Sequence, residues 1–226
     1  MAGNGATAKL EILDAQKCFL VGQHLLALCP LCGRVIQEGL DGWDVHEWLL
    51  PRGRVHPRLQ EHILSPMNQV AVHHDCHISN SWGEEQRVAC AWMAMRARKP
   101  GSVVGWILGL PTEIRPPAPY FPPAAFGAGN ILLTVGEALT TGKHFISGLN
   151  GKSQEELIAM WESGDPQAQE AIRLGVMADY VLRCAVRGRV RPEHRNPPAW
   201  WNGPVQTQNN SSNLGKEEKD ERDREK

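Results

Sequence analysis

Two pairs of metal-binding side chains occur at the same spacing, about forty residues apart. The first pair is Cys29-x-x-Cys32 and the second is His73-x-x-Cys76. Cysteine and histidine are the usual ligands of Zn²⁺, which takes four protein ligands in a structural site. His74 is an alternative to His73, but only His73 keeps the two-residue interval. The four side chains are therefore predicted to hold a structural Zn²⁺ that stabilises a small module with little apolar surface.

Five further polar residues lie between and after these pairs: Asp44, His46, Glu47, Asn68 and His77. Their order relative to the metal-binding pairs resembles the HNH endonuclease family, in the phage-type form where "HE" stands in place of "HH" or "DH". The resemblance covers residues 29–80, about a quarter of the chain.

The resemblance implies a ββα-metal fold, in which two short antiparallel strands and a helix grip one divalent cation. By position it places His46 on the first strand, Asn68 on the loop or second strand, and His77 at the start of the helix. It implies hydrolysis of DNA phosphodiester bonds with a catalytic cation such as Mg²⁺ or Mn²⁺, and an origin in a phage or prophage.

These residue types suit that reaction. Phosphodiester hydrolysis needs a base for the attacking water, a cation to stabilise charge on the phosphate, and a group that holds the base. His46 is a natural base because histidine titrates near neutral pH. His77 is a natural metal ligand, and Asn68 is expected to fix the His46 ring with a hydrogen bond.

The His46–Glu47 pair departs from the family pattern, in which a metal ligand precedes the base. In one register His46 is the base and Asp44 supplies the missing ligand. In the other, His46 is the metal ligand and Glu47 takes the position of the base. Asp44 and His46 share one face of a strand, which favours the first register, but a bulge would favour the second.

The net charge of the chain is -1, so positive charge for binding DNA must be local. Arg52, Arg54 and Arg58 follow the first strand of the motif and are predicted to contact backbone phosphates. Two more basic groups are candidates, one near a predicted helix and one before two tryptophans that are expected to be exposed. They comprise Arg87, Arg96, Arg98 and Lys99, then Arg183, Arg187, Arg189, Arg191 and Arg195 ahead of Trp200-Trp201.

The expected fold class is α+β, with a small zinc-stapled module, a mainly helical C-terminal extension and a disordered tail. Short strands are predicted at 45–50 and 67–72, and helices at 84–98, from 153, and at 166–186. The predicted division of the chain is an N-terminal segment at 1–28, the HNH module at 29–100, a Pro/Gly-rich linker or arm at 101–152, a helical region at 153–204, and a charged tail at 205–226.

The sequence shows no apolar run of the roughly 18 residues that a membrane span requires. The six cysteines do not resemble a disulfide framework, so a reduced, cytoplasmic setting is expected. The leading hypothesis is a metal-dependent HNH endonuclease that acts on DNA. The alternative is a non-catalytic zinc-binding module that recruits DNA or a protein, such as a phage protein, within a larger assembly.

Overall fold

The computed structural model describes residues 3–21, 23–39, 42–51, 53, 59–79, 82–116 and 133–204. Within these ranges the helices are α1 (Gly3–Gln16), α2 (Gln60–Ile63), α3 (His74–Ser79), α4 (Glu84–Arg98), α5 (Pro100–Gly109), α6 (Val135–Gly142), α7 (Gln154–Glu162) and α8 (Pro166–Val186). The strands are β1 (Lys17–Val21), β2 (His24–Leu28), β3 (Val35–Ile36), β4 (Trp43–Glu47) and β5 (Gln69–His73).

The expected α+β class is confirmed by this mixture of helices and small sheets. The range 101–152, which was predicted to be a linker, contains most of α5 and all of α6. Arg52, Arg54, Arg58 and the charged tail at 205–226 lie outside the described residues. Every described helix is too short or too polar to cross a lipid bilayer.

The strands form two small antiparallel sheets, one ordered β1-β2-β3 and the other β4-β5. One buried side chain, Gln16 at the end of α1, joins them. Its Nε2 donates to the carbonyl oxygens of Leu28 (2.6 Å) and Ala71 (2.9 Å), and its Oε1 accepts from the Ala71 amide at 2.9 Å. No backbone hydrogen bonds pair β2 with β5, which belong to different sheets. The Gln16 side chain bonds backbone groups of both strands and so holds the end of β2 against β5.

The second sheet carries most of the polar residues of the motif. In its register Asp44 lies opposite Val72 and His46 opposite Val70. The apolar residues of β5 are fully buried, and α3 begins directly after the strand at His74. The motif therefore folds as two antiparallel strands followed by a short helix.

The C-terminal arm, which we define as residues 190–204, returns to the N-terminal half of the chain. The Trp200 Nε1 donates to the Pro30 carbonyl oxygen at 2.8 Å, and the Trp92 Nε1 on α4 donates to the His194 carbonyl oxygen at 3.0 Å. Trp201 packs edge-on against Trp92 with ring centroids 5.2 Å apart. One buried apolar cluster consequently includes residues from both ends of the chain.

The predicted C-terminal helices are confirmed, and local capping explains where they begin. Ser153 and Glu156 form a capping box before α7, with the Glu156 amide donating to the Ser153 Oγ at 3.2 Å. The Asp165 carboxylate accepts from two amides at the start of α8. Helix α8 ends at Val186, and its C-cap residue Arg187 has a left-handed φ of 57°.

Helices α6 and α8 cross at two glycines whose missing side chains permit close backbone contact. A methyl group at Gly175 would overlap the Ala138 carbonyl oxygen, and one at Gly142 would overlap the Ala171 carbonyl oxygen. Both obstacles are backbone atoms of the facing helix, so no side-chain rotation relieves them. The crossing therefore requires glycine at both positions.

We predict that Gly175→Ala lowers the free energy of unfolding by at least about 2 kcal/mol, because the two helices must separate. Gly105→Ala is the matched control, since a methyl group there meets no atom within 4 Å. It should raise the free energy of unfolding by about 0.5–1 kcal/mol. Urea denaturation measures both values, and equal effects of the two substitutions would contradict the crossing.

Candidate metal and active site

The four predicted zinc ligands meet at one point of the structure. Their ligand atoms all lie within 4.8 Å of one another. Cys29 directly follows β2, Cys32 lies on the turn after it, His73 ends β5, and Cys76 lies in α3. The prediction that these residues can share a metal ion is confirmed, and three thiolates with one imidazole are a donor set typical of structural Zn²⁺.

A tight turn presents the two cysteines of the first pair. The Gly33 amide donates to the Cys29 carbonyl oxygen at 2.8 Å, and the Cys29 amide donates to the Arg34 carbonyl oxygen at 2.9 Å. Gly33 has a φ of 71°, which glycine adopts without strain. The turn brings both thiols to the same side of the backbone.

The proton of His73 is placed by its backbone partner. The His73 Nε2 lies 3.1 Å from the Val35 carbonyl oxygen, which can only accept, so Nε2 carries the proton. The Nδ1 lies 3.3 Å from the Cys32 Sγ and keeps its lone pair for a metal. A carbonyl that orients a ligand histidine in this way is a common feature of metal sites.

The thiols of this cluster ionise unequally. Hydrogen bonds from Cys29 and then from Arg34 lower the pKa of Cys32. The same bond to Cys32, together with burial, raises the pKa of Cys29. Burial and the nearby Cys32 also raise the pKa of Cys76. Cys32 is therefore the thiol of the set that ionises most readily, and metal binding must release the protons of Cys29 and Cys76.

A second polar cluster lies beside the first, on the exposed side of α3. The His77 Nδ1 lies 3.0 Å from the Asp44 Oδ2, and the His77 Nε2 lies 3.3 Å from the His46 Nδ1. The His74 Nδ1 approaches the same Asp44 Oδ2 at 2.8 Å. Alternate positions on β4 and neighbouring turns of α3 bring the four side chains together.

The electrostatics of this cluster follow from its hydrogen bonds. Burial opposes ionisation of Asp44, but hydrogen bonds from His77 and His74 outweigh it and lower the pKa of Asp44. Burial and the adjacent His77 lower the pKa of His46 to about 3. His46 is consequently neutral at physiological pH, while Asp44 is a carboxylate.

Trp82 completes the cluster, and the motif gave no sign of its role. Its indole stacks on the His46 ring with centroids 3.6 Å apart and an interplanar angle of 11°. Its edge contact with His77 has a centroid distance of 5.7 Å. Trp82 comes from the loop before α4, so only the tertiary structure shows this contact.

No protein-family model, curated protein or solved structure matches this chain. The resemblance to HNH endonucleases therefore stands on the motif residues and their arrangement.

Asn68 does not have the partner that the motif suggested. Its Oδ1 accepts from the amides of Leu49 (3.1 Å) and Leu50 (3.0 Å), and its Nδ2 donates to the carbonyl oxygens of Leu50 (2.9 Å) and Ile63 (3.0 Å). These four bonds use the full capacity of the amide. The prediction that Asn68 fixes the His46 ring is wrong. It holds the loop after β4, which also explains why this strand stops at Glu47.

The basic group near the C-terminus is largely internal. Arg183 and Arg195 are buried and form ion pairs with the buried Asp179. Trp200 and Trp201 are only 3% and 4% exposed, so the expectation of exposed aromatic rings is wrong. Their rings complete the core instead. Arg187, Arg189 and Arg191 are the exposed arginines of this stretch, and Arg191 pairs with Glu84 at 3.3 Å.

The group on α4 is also partly internal. Arg98 is buried, and the Arg96 guanidinium lies over the rings of Phe19 (4.1 Å) and Trp201 (4.6 Å). Cation–π contact of this kind stabilises the core and leaves little of the charge for phosphate.

We predict that Cys29→Ser removes the metal ligand with the most buried thiol of the set, so the purified protein should lose stoichiometric zinc. Near-ultraviolet circular dichroism should show loss of packing around the module. Cys90→Ala is the control, because Cys90 is equally buried but lies outside the cluster. Metal analysis that finds one zinc per chain in Cys29→Ser would refute this ligand set.

We predict that Asn68→Ala lowers the free energy of unfolding by about 3–5 kcal/mol, because four buried backbone groups lose their partner. The exposed Asn202 side chain accepts a hydrogen bond from the exposed Asn150 side chain. Asn202→Ala should therefore change stability by less than about 0.5 kcal/mol. Guanidinium denaturation of both variants measures the contrast, and a small effect at Asn68 would contradict its role in the loop.

Proposed function

We propose that the protein is a metal-dependent endonuclease of the HNH type that hydrolyses phosphodiester bonds in DNA. One observation carries the proposal: His46 and His77 turn ring nitrogens toward each other at 3.3 Å while Asp44 accepts from the far side of His77. A histidine that binds a metal almost always donates its other N–H to a carboxylate or carbonyl. This arrangement supports a cation between the two imidazoles.

The arrangement favours the register in which His46 is a ligand over the one in which it is the base. The His46 ring is largely buried and covered on one face by Trp82, which suits a ligand better than a group that must reach water. Its low pKa keeps the ring nitrogen free of a proton that would compete with a metal. Asp44 then acts through His77, whose ring it orients.

In this register Glu47 takes the position of the base. Glu47 ends β4 opposite Gln69 in a register without a bulge, so strand alternation places it on the other face from His46, and its role as the base rests on the sequence resemblance. Its carboxylate would take the proton of the attacking water. A divalent ion held by His46 and His77 would stabilise the negative charge that develops on the phosphate and the leaving oxygen.

The neighbouring metal centre supports the same proposal. The Cys29, Cys32, His73 and Cys76 set fixes both ends of the β5–α3 junction, and His77 is the residue after Cys76. A rigid junction holds a catalytic side chain in place more precisely than a loop does. The order of β4, β5 and α3 also supports the proposal.

The alternative, a non-catalytic zinc-binding module that recruits DNA or a protein, draws on a different observation. Arg98, Arg183 and Arg195 are buried in the core and so contribute little to a phosphate-binding surface. A module that lacks such a surface and cuts nothing would still keep the zinc centre. Cleavage separates the two proposals directly.

We predict that the zinc-loaded protein nicks or linearises supercoiled plasmid in the presence of Mg²⁺, Mn²⁺ or Co²⁺. His77→Ala and Glu47→Gln should each reduce cleavage at least about 100-fold, since each removes a group that the reaction requires. The control is His24→Ala, because His24 is an exposed histidine of the β1–β2 hairpin. Agarose gels measure all four proteins.

Separate cation titrations distinguish the two registers. Under the proposal, His46→Ala no longer binds the divalent cation between His46 and His77 and no longer cleaves DNA. Glu47→Gln still binds this cation but does not cleave DNA. If His46→Ala still binds the cation, the register in which His46 is the base would be favoured instead. Intact plasmid with every metal would favour the non-catalytic alternative.

A further inference from the structure

Three aromatic rings form a closed group at the candidate cation site. The His46 and His77 rings meet edge to face with centroids 5.2 Å apart, and Trp82 stacks on the first while its edge approaches the second. The only apolar member of this group is the indole. The resemblance to HNH endonucleases assigns no role to Trp82.

The loop that carries Trp82 is attached to a rigid element. The Gly83 amide donates to the Gln86 Oε1 at 3.0 Å, and Arg87 donates to the Trp82 carbonyl oxygen at 3.4 Å. Both partners lie in the first turn of α4, and the following turns of this helix are buried in the core. Trp82 is therefore fixed to the core of the protein and not to the strand or helix that carries the two histidines.

We propose that Trp82 is a positioning residue of the cation site, which holds the His46 ring in the orientation that binds the metal. The proposal rests on the function proposed above, because it concerns the same cation. Trp82 touches neither substrate nor metal in this role and acts through His46 alone.

The stacking geometry gives the physical basis. The His46 side chain rotates about two bonds, and its Nδ1 faces His77 in only a fraction of the orientations that a free side chain would sample. An indole 3.6 Å away and nearly parallel fixes the plane of the ring. Loss of an aromatic stack of this kind should weaken binding of the cation by about tenfold.

The flat face of Trp82, and not its indole N–H, is what this role requires. Phenylalanine keeps a flat ring at the same position, so Trp82→Phe should preserve most of the effect. Alanine removes it. A purely structural role would instead lower stability without separating these two variants in metal affinity.

The test is Co²⁺ binding to full-length protein that already carries zinc in the Cys29, Cys32, His73 and Cys76 set. Absorption spectra follow the titration, because cobalt bound by imidazoles lacks the intense thiolate charge-transfer band of cobalt bound by cysteines. We expect Trp82→Ala to bind Co²⁺ about tenfold more weakly than the wild type, and Trp82→Phe to remain within about threefold. Trp161→Ala is the control, since Trp161 is 39% exposed on α7.

Zinc content and urea denaturation of each variant show whether the fold is retained. Wild-type affinity in Trp82→Ala would overturn the proposal, as would an equal loss in Trp82→Phe and Trp82→Ala. A wild-type protein that binds Co²⁺ but leaves DNA intact would refute the nuclease proposal and leave the role of Trp82 standing. A wild-type protein that binds no Co²⁺ beyond its zinc would overturn both.

Discussion

The junction between β5 and α3 is the point on which the candidate site depends. His73 ends the strand, Cys76 lies within the helix, and both belong to the metal-binding set with Cys29 and Cys32. A metal held by all four ties the turn after β2 to this junction. Gln16 reinforces the link without a metal, because its amide bonds both the end of β2 and the middle of β5. Residues on either side of the junction thereby acquire fixed positions.

The second cluster derives its geometry from the first. His77 follows Cys76 directly, so the orientation of α3 decides where its imidazole points. Asp44 and His46 reach it from the neighbouring strand β4, whose register against β5 is fixed over all five residue pairs. A shift of one residue would turn both side chains to the other face of the sheet. The two clusters are thus continuous in the structure. The metal-binding cysteines and His73 fix the positions that Asp44, His46 and His77 can take.

The sequence predicted those features that are determined by residues close together in the chain. The spacing of Cys29-x-x-Cys32 and His73-x-x-Cys76 indicated the metal set, and the Ser153–Glu156 capping box marked the start of α7. Helix α4 has the predicted bounds because Lys99-Pro100-Gly101 stops it. Spacings and caps of this kind act over a few residues and can be read directly from the chain.

Features that depend on distant residues could not be read in the same way. Asn68 looks like a catalytic asparagine in the motif, but its partners on the loop after β4 are visible only in three dimensions. Trp200 and Trp201 follow several arginines and suggest an exposed binding surface, yet they are buried in a core to which α1, α4 and α8 all contribute. The contact between Trp82 and His46 is of the same kind, because no spacing rule connects the two residues.

The contact between Trp200 and Pro30 has a consequence for synthesis of the chain on the ribosome. These residues are 170 positions apart, and Pro30 lies in the turn between two metal-binding cysteines. At about 5–20 residues per second, translation needs roughly 10–30 seconds to reach the tryptophan after the turn has been made. During that interval the turn lacks its indole partner, while His73 and Cys76 have already been synthesised. The nascent chain can therefore acquire its metal before the C-terminal arm closes over the turn.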